Sequence, residues 1–520
     1  MKKTALLFFF ALFLFAAAWA GNELRMRESM CMHSRILNQD VHFSVILPET
    51  YFSGNQKYPV VYMLHGLGDD ETSWLEYGCV NQFADQAIRD GEIVPMIFIM
   101  PEAFRTYYVN DFEGSFLYQD MFILELVPHI DSLFRTIADK QHRALMGYSM
   151  GGFGALNLHL NHPDVFGTTV PLSISVRTDA QYMTEEASGW DEQWGRLFGA
   201  SGKIGEARLT DYYREQSPFY QLPEFAGNKA AALNIYIVNG DEENTLCRSN
   251  EELHILMNSC KIPHEYRVTD GCHSFNVWQA AIPNGLRFMS DAFLGNPYRG
   301  DLNKNQKINE LPENQWMEVA IQHENISVFI PAEYLVSDRK YPALYLKGEF
   351  TPEEKHSIAA TVNQQIEQNS VCPMIVVFIP QELPDEFEDF ISVMEQNVRI
   401  RPGYRFRAMA GYQQEAKEAL LISTSQVQFS ACYLVDGHLS KEDAKHLVPK
   451  IKEKMPERTK IIISAPDKSN FYEGNGYIHI LLREGERPHE YRVTEGEGGF
   501  EWMLRSLPEA LTLISAKFHN

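Results

Sequence analysis

The chain contains one series of segments twice, and this internal repeat constrains its fold more than any other feature of the sequence. The heptapeptide PHEYRVT occurs at 263–269 and again at 488–494. Four more pairs keep the same order in both halves: 46–51 with 329–334, 57–66 with 340–348, 94–104 with 372–383, and 142–156 with 406–420. Chance matches would not preserve that order. We therefore interpret the chain as two tandem copies of one domain.

The copies differ most in region 177–232, which the second half shortens and which is rich in aromatic and acidic residues. We interpret this region as a cap inserted in the first copy. The join between the copies is polar and rich in Asn, Lys and Pro, which is a linker composition. The predicted organisation is a signal peptide at 1–20, a catalytic domain at 21–297, a linker at 298–312 and a second, smaller domain at 313–520.

Short apolar runs alternate with helical patterns along the chain. The runs VVYML, MIFIM, RALMGY, TTVPL and NIYIV are rich in Val, Ile and Tyr, and turn-forming or polar residues follow them. Helical patterns such as 80–91 and 122–137 separate the runs. Strands that alternate with helices predict a mostly parallel sheet with helices on both faces. The predicted fold class is therefore α/β, as two tandem α/β-hydrolase domains.

The segment MKKTALLFFFALFLFAAAWA at 1–20 combines a basic start, an apolar run and a small-residue cleavage site. It predicts a signal peptide, because the apolar run is short for a membrane span. We expect export to the periplasm or the extracellular space, with no membrane attachment after cleavage. The formal net charge of −23 disfavours nucleic acid as a partner, because like charges repel. Export permits disulfides, and we allow one among Cys247, Cys260 and Cys272.

Gly147-Tyr148-Ser149-Met150-Gly151 fits the pattern G-x-S-x-G between an apolar strand and a helix. In that setting the serine lies on a strained strand-to-helix turn, and the flanking glycines let the backbone pass without a clash. Such a turn raises the serine hydroxyl above the sheet and directs the helix N-terminus toward it. We predict that Ser149 is a nucleophile.

A serine nucleophile needs a base and an orienting acid, and α/β-hydrolases carry them in the order serine, acid, histidine. His273 follows the apparent strand EYRVT and is the predicted base. The acid is expected after the strand NIYIV, in the loop GDEEN at 240–244. Glu243, three residues past the glycine, is our first choice, and Asp241 is the alternative.

An oxyanion hole would complete the site. Its predicted donors are the backbone N–H of Met150, directly after the nucleophile, and that of Leu67, in the turn HGLG. This chemistry requires no metal and no cofactor. Aromatic residues of the cap and of earlier loops are expected to line the substrate pocket: Tyr107, Tyr108, Tyr118, Trp190 and Trp194.

The motifs LHGLGDDETSW, GYSMGGFGALN, NGDEEN and GCHSFNVW together resemble the esterase D family of α/β-hydrolases. That family includes S-formylglutathione hydrolases, feruloyl and acetyl-xylan esterases of the family-one carbohydrate esterases, and mycolyltransferases. The resemblance covers about residues 40–297 and implies an esterase fold and activity. The family's acid stands at the place of Glu243, usually as Asp and in mycolyltransferases as Glu. Asp241 stays open as the alternative acid.

The second copy lacks every one of these reactive groups. The replacements are Gln413 for Ser149, Gly498 for His273, and Ser469 for Glu243. We interpret 313–520 as a degenerate hydrolase domain without catalytic activity.

The expected reaction is hydrolysis of a small-molecule or polysaccharide ester through an acyl-serine, with a feruloyl or acetyl ester of polysaccharide as the suggested substrate. Export argues against a cytosolic glutathione thioester. Two alternatives stay open. One is acyl transfer to a sugar hydroxyl, as in mycolyltransferases, and the other is a carbohydrate-binding protein in which both domains are silent.

Overall fold

The computed structural model describes residues 24–226, 233–302, 311–312, 315–321, 324–336, 340–368, 370–381, 387–425 and 427–519. The predicted signal peptide and most of the predicted linker lie outside these residues. No helix among the described residues is long and apolar enough to cross a membrane. The chain divides into two compact units. The first runs to Pro171 and adds Met183–Gln216 and Ile282–Arg299, and the second comprises Leu172–Tyr182, Ser217–Ala281 and Gly300 onward.

The six strands described in the first unit alternate with helices. They are β1 (Met26–Ser34), β2 (Gln39–Ile46), β3 (Val60–Leu64), β4 (Ile97–Pro101), β5 (Arg143–Tyr148) and β6 (Thr168–Leu172), whose last residue falls in the second unit. Their order in the sheet is β1-β2-β4-β3-β5-β6. β1, β2 and β4 pair antiparallel, whereas β3 pairs parallel with β4 and β5. Every residue of β3, β4 and β5 is buried, as expected for strands covered on both faces.

Ten further strands are described in the second unit. They are β7 (Tyr236–Gly240), β8 (Glu265–Thr269), β9 (Trp316–Ile321), β10 (Glu324–Phe329), β11 (Ala343–Lys347), β12 (Ile375–Ile379), β13 (Arg407–Tyr412), β14 (Ala431–Val435), β15 (Lys460–Pro466) and β16 (His489–Thr494). Their order is β7-β8-β16-β15-β14-β13-β11-β12-β10-β9. The pairs are parallel except β8 with β16, β10 with β12, and β9 with β10.

Helices cover the sheets and connect the strands. In chain order the α-helices are α1 (Ser73–Glu76), α2 (Val80–Arg89), α3 (Tyr118–Met121), α4 (Val127–Leu133), α5 (Met150–Asn161), α6 (Asp179–Thr184), α7 (Ala187–Trp190), α8 (Arg196–Phe198), α9 (Asp211–Gln216), α10 (Pro218–Gln221), α11 (Asn244–Ser259), α12 (Phe275–Phe293), α13 (Pro352–Glu367), α14 (Phe387–Asn397), α15 (Ala416–Ser423), α16 (Lys441–Lys454), α17 (Tyr472–Glu484) and α18 (Phe500–His519). π-Helical turns at Phe122–Leu126 and Asp191–Gly195 join α3 to α4 and α7 to α8.

Alternate residues of β11 belong to two different hydrophobic clusters. Leu344 and Leu346 pack with residues of α13 and α18, whereas Ala343 and Tyr345 pack with residues of α14 and α15. Because successive side chains of a strand point to opposite faces, this sheet has helices on both sides. The α/β fold class predicted from the sequence is confirmed.

The two compact units do not follow the predicted linker at 298–312. Residues 217–281, which the repeat assigns to the first copy, cluster with the C-terminal half of the chain. The reason is the antiparallel pairing of β8 with β16, in which Val268 lies opposite Val493. The domain limits read from the repeat stay a prediction about sequence organisation. All seven cysteines are free, so the disulfide allowed among Cys247, Cys260 and Cys272 is absent.

Candidate active site

Ser149 alone forms the turn between β5, which ends one residue before it, and α5, which begins one residue after it. Its φ of 57° with ψ of −115° is rare for a residue that carries a Cβ. The close packing around the turn leaves no space for larger neighbours. A Cβ on Gly147 would collide with the backbone of Gly151, and a Cβ on Gly151 would collide with the carbonyl of Leu64. The strand-turn-helix setting predicted for a nucleophile is therefore present at Ser149.

The two predicted oxyanion donors lie at the ends of neighbouring strands. β3 and β5 are parallel, with Leu64 opposite Gly147, so the turn that follows β3 lies beside the Ser149 turn. Leu67 is half-buried in the turn after β3. Met150 is the first residue of α5, and the first N–H groups of a helix have no acceptor inside it. Both backbone donors thus belong to the region around Ser149.

His65 supports this turn and stays neutral. Its ring is buried, its Nε2 accepts the backbone N–H of Ala103 at 2.9 Å, and its Nδ1 lies 2.8 Å from the carbonyl oxygen of Gly66. Since Nε2 accepts, the ring proton is on Nδ1 and is donated to that carbonyl. Burial lowers the pKa of His65. The ring therefore shapes the turn.

Glu243 is the acidic residue that meets His273. It lies between β7 and α11, and its side chain is 1% exposed. Its Oε1 accepts the backbone N–H of Gly240 at 2.9 Å and the hydroxyl of Ser173. Its Oε2 accepts from Nδ1 of His273 at 3.0 Å. A carboxylate held in this way can fix the orientation and the tautomer of an imidazole.

His273 lies in the loop between β8 and α12, and its side chain is 40% exposed. The rings of His273 and Trp278 pack nearly perpendicular to each other, with ring centroids 5.1 Å apart. Because Nδ1 donates to Glu243, the acceptor nitrogen of the neutral ring is Nε2. Glu243 and His273 belong to the second compact unit, and Ser149 to the first.

Asp241, the alternative acid, has other partners. It is fully buried, and its Oδ2 accepts the backbone N–H of Tyr491 at 2.9 Å and Nη1 of Arg492 at 2.6 Å. Among the described residues Asp241, Asp270 and Glu490 form the one group of carboxylates that could hold a metal ion. All three accept from Arg492, at 2.6 to 2.8 Å, so a guanidinium already occupies this position.

The five predicted pocket residues are side chains of the hydrophobic core. Tyr107, Tyr108, Tyr118, Trp190 and Trp194 are each at most 1% exposed. The polar atoms of Tyr107, Tyr108, Tyr118 and Trp190 bond inside the first unit. The Tyr118 hydroxyl donates to the carbonyl of Glu102 at 2.7 Å, and Trp190 Nε1 donates to that of Ala200 at 3.1 Å. The ring of Trp194 stacks on Phe198 at 5.8 Å. Their role in lining a substrate pocket stays a prediction.

In the C-terminal copy, the residues that replace the predicted triad lie close to one another. Gln413 has a φ of 51°, so the turn after β13 keeps a positive φ without a serine. Its Nε2 donates to Oδ2 of buried Asp436 at 3.1 Å. The same oxygen accepts the N–H of Gly499 at 3.0 Å, and Ser469 lies 3.5 Å from Oδ1. Gln413 and Ser469, which match two positions of the predicted triad, and Gly499, which follows the third, thus share one carboxylate.

Two residues beside Glu243 were missed in the sequence. Ser173 donates to the carboxylate, and Trp278 Nε1 donates to the Ser173 hydroxyl at 2.8 Å. Ser173 follows β6 directly and has a φ of 46°. Its place at the carboxyl end of a strand was the available signal, since sites of open α/β sheets form there. Nothing in the local pattern distinguishes Trp278 from an ordinary core residue of α12.

A parallel sheet flanked by helices, with G-x-S-x-G on the strand-to-helix turn, defines the α/β-hydrolase class. Residues 34–289 match the family model "Putative esterase". This part of the chain is therefore similar to esterases, both in its match to the family model and in its relatives.

The chain is similar to an endo-1,4-beta-xylanase/feruloyl esterase of Xylanibacter ruminicola, with 38% identity over 154 residues, or 28% of this chain and 20% of that protein. It is also similar to an esterase of Mycobacterium tuberculosis, with 28% identity over 253 residues, or 45% of this chain and 52% of that one. The matches thus span from a fifth to about half of these relatives. A ferulic acid esterase of known structure aligns with a TM-score of 0.45 and 26% identity over 52% of this chain and 100% of its own.

Proposed function

We propose that the protein is a serine carboxylic-ester hydrolase that acts through an acyl-serine intermediate. Ser149 is the proposed nucleophile, His273 the base and Glu243 the acid that orients it. The observation that carries the proposal is the 3.0 Å hydrogen bond between His273 Nδ1 and Glu243 Oε2. It joins the loops that follow two parallel neighbouring strands, β7 and β8. Such a pair gains a catalytic role only with a nucleophile, and Ser149 stands on the turn that suits one.

In the proposed reaction the Ser149 hydroxyl attacks the ester carbonyl while Nε2 of His273 takes its proton. Glu243 stabilises the imidazolium that forms. The N–H groups of Leu67 and Met150 hold the oxyanion, and each such donor contributes roughly 3–4 kcal/mol of transition-state stabilisation. His273 then protonates the departing alcohol. Water, activated by the same ring, releases the acid from Ser149.

We propose an ester of polysaccharide, with a feruloyl or acetyl acyl group, as the substrate. Support comes from the relatives, whose names include feruloyl esterase and acetyl esterase. The predicted signal peptide supports a substrate outside the cytoplasm. The lining of this pocket by Tyr107, Tyr108, Tyr118, Trp190 and Trp194 stays a prediction, and each of these side chains is buried.

The test compares the full chain with Ser149→Ala and with Gln413→Ala, which alters the matching turn of the C-terminal copy. A fluorophosphonate probe should label the wild type and Gln413→Ala and leave Ser149→Ala unlabelled. Hydrolysis of p-nitrophenyl acetate should fall by roughly a thousand-fold or more in Ser149→Ala alone. Labelling of Ser149→Ala at the wild-type level would exclude Ser149 as the nucleophile.

A panel of methyl ferulate, feruloylated xylan and acetylated xylan, with and without a sugar acceptor, tests the substrate class. Free acid as the main product supports hydrolysis. A dominant acyl-sugar product would replace hydrolysis by acyl transfer. A wild type that neither binds the probe nor cleaves any ester would favour a carbohydrate-binding protein.

A further inference from the structure

The repeated heptapeptide forms an antiparallel contact with itself. Its two copies provide β8 and β16, and Val268 lies opposite Val493 at their crossing. A pair of histidine contacts obeys the same symmetry. His254 Nδ1 contacts His264 Nε2 at 2.6 Å in one copy, and His479 Nδ1 contacts His489 Nε2 at 2.7 Å in the other. The two copies therefore meet through equivalent surfaces, as the subunits of a two-fold symmetric dimer do.

In each copy, one arginine bonds to a buried aspartate of the other copy. Arg492 Nη1 donates to Asp241 at 2.6 Å, and Arg267 Nη1 donates to Asp467 at 2.6 Å. Both aspartates directly follow a strand, and both are at most 1% exposed. Each also accepts a backbone N–H from its own copy, from Gly271 at 3.1 Å and from Gly496 at 2.9 Å. The two ion pairs are near replicas of one another.

The two ion pairs differ in the functional residues that lie on the loops beside them. Asp241 lies two residues before Glu243, and Gly271 lies two residues before His273. Because Asp241 bonds to both Arg492 and Gly271, the C-terminal copy is connected to the acid loop and to the histidine loop at one carboxylate. A backbone bond from Glu242 N–H to the Gly271 carbonyl, at 2.9 Å, adds to this connection.

In the C-terminal copy, the equivalent loops are connected in the same way but carry no reactive group. Asp467 lies two residues before Ser469, and Gly496 lies two residues before Gly498. Arg267 therefore anchors a loop pair of the same construction that has neither the acid nor the histidine. The chain supplies a matched internal control for any role of Arg492.

We propose that Arg492, in the C-terminal copy, is a positioning residue that sets the geometry of the Glu243–His273 pair through Asp241. On this account the degenerate copy works as a permanent partner that holds the acid and histidine loops of the other copy in place. The proposal rests on the proposed esterase function. It also explains why the second copy kept its arginine and aspartate while it lost the serine, the acid and the histidine. A buried arginine that bonds to four carboxylates has little freedom to move, so the loop it holds is fixed as well.

The test compares Arg492→Met with Arg267→Met in the full chain, using p-nitrophenyl acetate at 20 °C or at another temperature well below both unfolding midpoints. Both variants should lose a similar amount of Tm, because each breaks an equivalent buried ion pair. In Arg492→Met kcat should fall by about 10- to 100-fold with KM within about two-fold, because the base is misplaced while the acyl pocket is intact. Arg267→Met should keep kcat within about two-fold of wild type. Arg492→Lys, which keeps a charge beside Asp241, should restore part of the lost kcat.

Asp241→Asn and Asp467→Asn provide a milder pair if either arginine variant fails to fold, with the same expected contrast in kcat. An equal loss of kcat in the two members of a pair, or no loss in either, would overturn the positioning role.

A second readout separates this inference from the esterase proposal. The Nδ1–H proton of His273 should give a downfield proton resonance, identified by its loss in Glu243→Gln. The resonance should shift or broaden in Arg492→Met and stay unchanged in Arg267→Met. A wild type without esterase activity that shows this contrast would refute the reaction and keep the positioning role. An active wild type whose resonance and kcat respond equally to both variants would support the reaction and refute the positioning role.

Discussion

The indole Nε1–H of Trp278 donates to the hydroxyl of Ser173 at 2.8 Å. That hydroxyl in turn donates a hydrogen bond to Glu243, whose other oxygen accepts one from His273. The carboxylate is therefore held from one side by Ser173 and a backbone N–H, and it holds the imidazole on the other side. A chain of hydrogen bonds of this kind, buried except at His273, restricts its members to one orientation.

Ser173→Ala should weaken both folding and catalysis. The change removes a hydrogen bond to a buried charge and leaves the Trp278 N–H without that acceptor, so we expect a loss of about 1–3 kcal/mol in the free energy of unfolding. We also expect kcat to fall about ten-fold, because Glu243 orients His273 less firmly. Urea denaturation and nitrophenyl ester kinetics measure the two effects. Exposed Ser188→Ala is the control, and equal values for the two variants would contradict the prediction.

Glu243→Gln should lower kcat by roughly a thousand- to ten-thousand-fold with little change in KM. An amide can donate to Nδ1 and so favour the wrong tautomer, and it no longer stabilises the imidazolium. The adjacent Glu242→Gln changes an exposed side chain and should keep kcat within about two-fold of wild type. A large loss in Glu242→Gln, or a mild one in Glu243→Gln, would mean that Glu243 is not the acid.

Gly151→Ala should destabilise the turn at Ser149. The new methyl group would overlap the backbone carbonyl of Leu64, so β3 and α5 must separate or the turn must distort. Overpacking of this kind costs about 1–3 kcal/mol in the free energy of unfolding. Gly54→Ala is the control, because a Cβ at Gly54 has open space around it. Thermal denaturation of both variants checks the prediction, which fails if their Tm values agree.

The ionisation of Glu251 should make the protein less stable as the pH rises toward 8. This residue lies on α11, fully buried, and accepts from the hydroxyls of Tyr266, at 3.0 Å, and Tyr472. Burial raises the pKa of Glu251 from 4.5 to about 7. Between these values the unfolded chain releases a proton that the folded chain keeps. The stabilisation is therefore complete below pH 4.5 and is lost as the pH rises through 7, by up to about 3 kcal/mol.

Glu251→Gln removes this titration. Its free energy of unfolding should depend less steeply on pH between 5 and 8 than that of the wild type. Burial also raises the pKa values of Asp241 and Asp467 to about 6, so part of the slope should remain. Glu473→Gln, an exposed change on α17, should keep the wild-type slope. Parallel pH profiles for wild type and Glu251→Gln would show that Glu251 ionises normally in the folded protein.

The sequence by itself determined the features that depend on neighbours along the chain. Short continuous apolar runs followed by turn residues predicted β3 to β7, and G-x-S-x-G between a strand and a helix predicted the turn at Ser149. These features follow from short-range sterics and backbone hydrogen bonding, which are local. The internal repeat was equally visible, and so was the absence of the reactive residues from its second copy.

The tertiary structure alone decided which of two carboxylates, two residues apart on one loop, lies against His273. Glu243 meets the imidazole, and Asp241 meets Arg492, which is 251 residues further along the chain. It also decided that the aromatic residues predicted for the pocket belong to the core, and that the repeated heptapeptide pairs with itself. Neither the composition of the chain nor the spacing of its residues indicates these outcomes. They depend on which strand edges meet and in which register, and such long-range pairings are set by packing across the whole fold.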